Sequence, residues 1–260
     1  MEFRTEATGI CHLSVIPCRA MPSDKAEIVS QLLFGETFRV IDTEPGWLHI
    51  RSHHDDYEGW IDPKQAHPYQ ASTTGTNTVR LLETVSAILN ESGTKRIHLT
   101  KGAVLPGFEN GQFTLETDRY MVTGKTNANR SFHPDHIVSD AMDYLGSPYL
   151  WGGRSPFGID CSGFTQMVFA LNGIALPRDS SAQVSVGEKI GDLQKGRVGD
   201  LAFFAKEPAG KVMHVGIILP HQRIIHASGE VRLDAMDDKG IIRKETGEYS
   251  HFLTGIQRYF

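Results

Sequence analysis

The chain has 260 residues, 40% of them hydrophobic, with 26 basic against 31 acidic side chains and a formal net charge of −5. That allows one large domain or two to three small ones with a real core, and the acidic balance argues against nucleic acid or an anionic membrane as partner, since both require a basic surface. No apolar run has the length of a membrane-spanning helix, and the start, MEFRTEATGICHLSVIPC, lacks the basic and apolar regions of a secretory leader; a cytoplasmic protein is expected, although a chain trimmed of its leader would read the same.

Two polar, turn-rich stretches, QASTTGTNT (70–78) and GKTNANRSFHPD (124–135), divide the sequence into three parts. The first alternates short β-type runs with turns. Val40, Ile41, Trp47, Leu48, Ile50 and Trp60 fit the strands of a small barrel, and EPGW reads as a hairpin turn. Three cysteines cannot all pair, so a disulfide framework is not expected; Cys11 and Cys18 could bridge, but buried thiols are the favoured reading. HHDD (53–56) invites a metal reading, but consecutive residues rarely converge on one ion, and a solvated turn is expected. The second part repeats the β rhythm, with ENG (109–111) as another hairpin signal, and reads as a diverged copy of the first.

After residue 130 the character changes. HPDHIVSDAMDYLG sets Ile137, Ala141 and Leu145 at helical spacing and stops at Gly146. CSGFTQMVFALNG follows, with Phe164, Met167, Val168 and Leu171 on one face and Gly173 as the stop. DLAFFA, KVMHVGIILP, RIIHASG and the terminal GIQRYF are β-type runs. Helices first and an antiparallel sheet after them imply an α+β domain.

One cysteine stands apart. Asp160 suits a helix N-cap, which makes Cys161 the first or second helical residue. Unpaired N–H groups and the helix dipole there favour a thiolate, so a lowered thiol pKa is expected; the same N–H groups can stabilise an oxyanion. A base is still required. KVMHVGIILPHQRIIHASG reads as a hairpin turning at Pro220, which sets His214 opposite His226 on one sheet face, with Val212 and Gly216 beside His214. Such a pair suits a base and its orienting group in a Cys-His-X triad. The same two histidines with Cys161 could instead ligate zinc, and spacing alone leaves both readings open.

At these residues the chain resembles the NlpC-type cell-wall cysteine peptidases, a compact branch of the papain-like superfamily. PYLWGG (148–153), GIDCSGF (158–164), LPRDSSAQ (176–183), GDLAFF (199–204), HVGI (214–217) and IIHASG (224–229) occur in family order. IVSQLLFGE (28–36) and DDYEGWID (55–62) resemble bacterial SH3-like modules. The resemblance implies two small SH3-like β-barrels over 1–70 and 71–128, then an α+β, papain-like catalytic domain over 129–260 with helices packed on an antiparallel sheet. It assigns Cys161 as nucleophile, His214 as base, His226 as the orienting third member, and Tyr149 to the oxyanion site.

The combination is similar to YkfC-type γ-D-glutamyl-L-diamino acid endopeptidases, which cut peptidoglycan stem peptides between D-glutamate and the diamino acid and require a free N-terminal L-alanine. On that likeness Tyr57, Asp160, Ser162, Asp179 and Ser180 line the subsite for the amine, with Glu27 a further candidate. An α-ammonium in a partly closed pocket needs a carboxylate and hydrogen bonds to offset its desolvation; Asp179 and Asp160 would supply the charge. No metal or cofactor is implied; the partner is a peptidoglycan-derived peptide, met by a monomer. Two other classes remain: a Cys-His amidase or transpeptidase acting on intact murein, and a non-catalytic wall-binding protein.

Overall fold

Strands make most of the regular structure of this chain, which divides into two compact units. Those of the first unit include alternating ones such as 47–52, whereas the central strands of the second, 201–205 and 214–219, are buried throughout. The computed structural model describes residues 3–70 and 78–260; most of the linker expected at 70–78 lies outside the described residues. One unit comprises Met1–Arg130 with Gly152–Pro156, the other Ser131–Trp151 with Phe157–Phe260.

In the first unit β1 (Thr8–Cys11), β2 (Val15–Arg19), β3 (Ile28–Leu33), β4 (Thr37–Glu44), β5 (Trp47–Ser52), β6 (Glu58–Ile61) and β7 (Ala66–Pro68) form an antiparallel sheet in the order β3-β2-β6-β5-β4-β1-β7. The inward residues of these strands, among them Ile16, Cys18, Phe38, Val40, Leu48, Ile50 and Ile61, make one core. The EPGW turn joins β4 to β5 as expected, with Gly46 in the left-handed region (φ 81°). Cys11 and Cys18 are buried thiols, as read from the sequence. HHDD forms the turn between β5 and β6, with His54 Nε2 3.0 Å from Asp55 Oδ2.

Residues 78–128 form two hairpins, β8 (Val85–Leu89) with β9 (Arg96–Thr100) and β10 (Gln112–Leu115) with β11 (Asp118–Met121). ENG turns as expected, Asn110 and Gly111 both having positive φ (51° and 80°). This segment is not a domain of its own. Its core of Leu81, Ile88, Leu99, Phe113 and Tyr120 also takes in Ile10 and Phe34 from the first segment. Apolar closure thus runs across the boundary expected at residue 70.

The two units divide between Arg130 and Ser131, beside the boundary expected at 129, and residues 152–156 are counted with the first unit. Arg154 is fully buried there. Its guanidinium grips the Glu36 carboxylate at 2.7 and 3.0 Å and donates to the Gln31 carbonyl at 2.6 Å. Arg80 reaches the same carboxylate at 3.3 Å. Burial pushes the Glu36 carboxyl up, but Arg154, His54 and Arg80 outweigh it and hold the group at about 2.

After β12 (Arg154–Ser155), which is counted with the first unit, the second unit contains, in addition to α1 (Pro134–Met142), the short strand β13 (Gly158–Ile159), α2 (Cys161–Leu171) and α3 (Ser180–Gln183). Then come β14 (Glu188–Ile190), β15 (Leu201–Ala205), β16 (His214–Leu219), β17 (Arg223–Ser228), β18 (Glu230–Met236), β19 (Gly240–Ile242) and β20 (Tyr249–Arg258). The sheet runs β14-β20-β15-β16-β17-β18-β19, and β19 also pairs with β20, so six strands close on themselves as a barrel. Ala202, Phe204, Ile218, Ile224, Met236, Ile241 and Ile256 fill its interior.

The expectation of helices laid on a sheet is therefore modified: the unit is strand-rich, and closure removes the open edges that a flat sheet would have to protect. Strands 230–236 and 240–242 went unread, and they complete the barrel. Helix α2 is buried all round rather than on one face, with its polar Thr165 and Gln166 satisfied by hydrogen bonds. Ten of its residues are buried, Phe164, Met167 and Phe169 among them, each contributing about 2 kcal/mol.

Candidate active site

Asp160 is extended (φ −92°, ψ 176°), and its Oδ1 accepts from the Gly163 N–H at 2.7 Å, so Cys161 is the first residue of α2. The sulfur accepts hydrogen bonds from the backbone N–H groups of Val215 and Ser162. Since Val215 follows His214, the first of these holds the sulfur against the start of β16, the strand end that carries the expected base. Cys161 is 6% exposed and His214 5%.

The hairpin register differs from expectation. The turn centres on His221, with His221 and Gln222 in the left-handed region (φ 62° and 54°), and Gly216, not His214, pairs with His226. One residue of error at the turn becomes two in the pairing. His214 and His226 are diagonal neighbours on the same face, and they still meet: Nε2 of His214 lies 2.7 Å from Nδ1 of His226. Gly216 makes this possible. A Cβ there would sit 2.9 Å from His226 Cβ and 2.7 Å from Ile224 Cδ1, displacing the ring that His214 contacts.

Beyond His226 the polar chain continues. Its Nε2 lies 3.0 Å from Asp234 Oδ2, Arg232 Nη2 donates to Asp234 Oδ1 at 3.0 Å, and Arg232 in turn donates to Glu245 at 2.5 Å. On the other flank His251 stacks on His214, with ring centroids 4.3 Å apart and planes 19° from parallel. Asp234, Arg232 and His251 were missed in the sequence because β18 and the start of β20 were not read as strands.

The protonation pattern also departs from expectation. Burial, then the charge of Asp160, pushes the Cys161 thiol up to about 12 despite the Val215 and Ser162 N–H groups and Arg178. Burial, then His226 and His251, holds His214 well below its ordinary 6.5. Burial is the first cause of both shifts, and each favours the uncharged form of its group, the thiol and the imidazole. Tyr149 is pushed up to about 12 by burial and by Cys161 and Asp160, so its hydroxyl keeps its proton beside the sulfur.

Asp160 and Ser162, expected in an amine subsite, are engaged from within. Arg178 holds the Asp160 carboxylate with both arms, at 3.0 and 2.6 Å, and donates to Ser162 Oγ at 3.0 Å. The charge of Asp160 is thus already balanced by a guanidinium that the sequence reading passed over. Asp179 sits exposed at the N-cap of α3, making no cap hydrogen bond with its side chain, and Ser180 is buried beside it. Glu27 (exposed) and Tyr57 (half-buried) belong to the first unit. The ring nitrogens of His214 and His226 point at one another, and no three His, Cys, Asp or Glu side chains among the described residues group as metal ligands. No helix among the described residues is long and apolar enough to cross a membrane.

A buried thiol at a helix start, held by the N–H that follows His214, and a second imidazole in contact with His214 make up the groups of a cysteine hydrolase, and the barrel-and-helix frame gives its class. Residues 146–249 match the NlpC/P60 family model, and residues 18–65 match the bacterial dipeptidyl-peptidase Sh3 domain. The chain is 31% identical to the γ-D-glutamyl-L-lysine dipeptidyl-peptidase of Bacillus subtilis, over 77% of this chain and 72% of that protein. It is 30% identical to dipeptidyl-peptidase 6 of Lysinibacillus sphaericus, over 85% and 88%. The crystal structure of an NlpC/P60 family protein from Bacillus cereus shares the fold, with a TM-score of 0.82 at 22% identity over 97% of this chain and 99% of that one. The chain belongs to the NlpC/P60 family of cysteine peptidases.

Proposed function

We propose that this peptidase cleaves the amide between γ-D-glutamate and the diamino acid, L-Lys or meso-diaminopimelate, in stem peptides that begin with a free L-Ala. The observation that carries the chemistry is the contact of His214 with His226 at the strand end where the Val215 N–H meets the Cys161 sulfur. The relatives named for γ-D-glutamyl-L-lysine cleavage support the bond. Cys161 attacks the γ-carbonyl as His214 takes its proton; the Cys161 N–H and the Tyr149 hydroxyl receive the developing oxyanion. His214 then protonates the departing amine and activates water to release L-Ala-γ-D-Glu.

For the ammonium of L-Ala, Asp179, which is exposed at the start of α3, and Asp160, whose carboxylate Arg178 also holds, are the assigned carboxylates, both on the resemblance. Ser162 and Ser180 are assigned hydrogen-bonding roles at the same end of α2 and α3, and those of Tyr57 and Glu27 rest on resemblance, as does the SH3-like reading of residues 78–128. N-acetylating the substrate is expected to lower kcat/KM about 10- to 100-fold, the value of a hydrogen-bonded charge. Mass spectrometry of products from L-Ala-γ-D-Glu-L-Lys and its N-acetyl form checks both points. Equal rates on the two would remove the amine subsite, and products cut at another bond would remove the assignment of the reaction.

A further inference from the structure

The hydrogen-bond chain behind the base ends on a group that cannot donate. Asp234 faces the barrel interior with His226: on β18 it pairs with Ile224, and Arg232 pairs with His226 itself. Its side chain is 3% exposed. Burial works against its ionisation, but His226 and Arg232 outweigh that and keep it lowered. Besides the Nη2 hydrogen bond to Oδ1, Arg232 Nε lies 2.9 Å from Oδ2 as an ion-pair contact, so the guanidinium charge faces both oxygens.

An ionised carboxylate only accepts hydrogen bonds. The nitrogen facing it, Nε2 of His226, must therefore carry a hydrogen, and in a neutral imidazole that leaves the lone pair on Nδ1. That lone pair faces Nε2 of His214 at 2.7 Å, which must then carry the hydrogen in its turn. The lone pair of His214 is left on Nδ1. Without Asp234 the reverse arrangement would satisfy the His214–His226 contact equally well, and His214 would present an N–H to the sulfur instead of a base.

We propose that Asp234, held by Arg232, is a positioning residue that sets the tautomers of both histidines and so makes Nδ1 of His214 the proton acceptor. The inference rests on the reading of Cys161 and His214 as the reacting pair. As the C–S bond forms, the thiol proton passes to Nδ1 and the carbonyl electron pair moves to oxygen; Nδ1 then returns that proton to the leaving amine. Both rings and the carboxylate are buried, with Ile218, Ile224 and Met236 in the core on the same side of the sheet, so the hydrogen-bond preference passes from one ring to the next.

Imidazole ¹⁵N chemical shifts of the full chain carrying Cys161→Ala read the tautomers directly. His226 and His214 are both expected as Nε2–H forms; a protonated Nδ1 on either would overturn the proposal whatever the variants do. Asp234→Asn removes the charge and offers a donor, so a mixture of tautomers is expected, with kcat lowered about 10²- to 10⁴-fold, KM within about threefold, and kcat largely restored by Asp234→Glu. A folded Asp234→Asn chain with unchanged ¹⁵N shifts, or with kcat within threefold of the parent, would reduce Asp234 to a structural strut. Turnover by Cys161→Ala would instead overturn the reading of the reacting pair.

Discussion

Replacing the sulfur, as Cys161→Ala, is expected to remove turnover of L-Ala-γ-D-Glu-L-Lys, with kcat lowered by at least about 10⁴-fold. Helix α2 keeps its Asp160 cap and its buried flank in that variant, so the thermal midpoint should stay near that of the parent. Chain integrity and activity are thereby separated. The parent should hold its kcat/KM as pH falls through 6.5, since burial, His226 and His251 keep His214 neutral there. Protonation further into acid removes the base, and activity is lost on that side. An acid limb centred at or above 6.5 would contradict a neutral His214, and measurable turnover by the alanine variant would remove Cys161 from the chemistry.

The largest stability effect belongs to the first unit. Glu36→Gln is expected to cost about 3 kcal/mol or more, because it leaves Arg154 and Arg80 buried without their counter-charge. The sign of the pH dependence follows from the lowered carboxyl. Folding depresses Glu36 from 4.5 to about 2, so its stabilisation, about 3 kcal/mol by linkage, is complete above pH 4.5. It is lost as pH falls from there through about 2. Urea unfolding monitored on the tryptophans at pH 7 and pH 3 checks both expectations. A variant with the parent's midpoint at pH 7, or a parent whose stability does not fall on acidification, would show that the buried network is energetically idle.

Much of the site was legible because its signals are local. Asp160 before Cys161 announces a capped helix start, and the apolar repeat after it specifies α2; both need only neighbouring residues. The histidine pair was legible in kind but not in register. A shift of two keeps both rings on one face, and that tolerance is why the contact survives a misplaced turn. Arg178 was passed over because its partners, Asp160 and Ser162, meet it only when the 176–183 segment folds back on α2. The expected lowering of the thiol pKa is opposed for a similar reason: the dipole at a helix start is read from a few residues, whereas burial, which pushes the thiol up, is set by everything packed around them.

By itself the sequence determined strands β4 to β6 of the first unit, the helices α1 and α2, and the placing of Cys161 at a capped helix start and of two histidines on one hairpin face, since period and short-range turn chemistry suffice for these. Only the tertiary structure decided that residues 78–128 share a core with residues before them, that the second sheet closes on itself, and that Asp234, Arg232 and His251 stand around the histidines. Those outcomes depend on which distant strands pair, and pairing is governed by the mutual burial of surfaces that no local pattern contains.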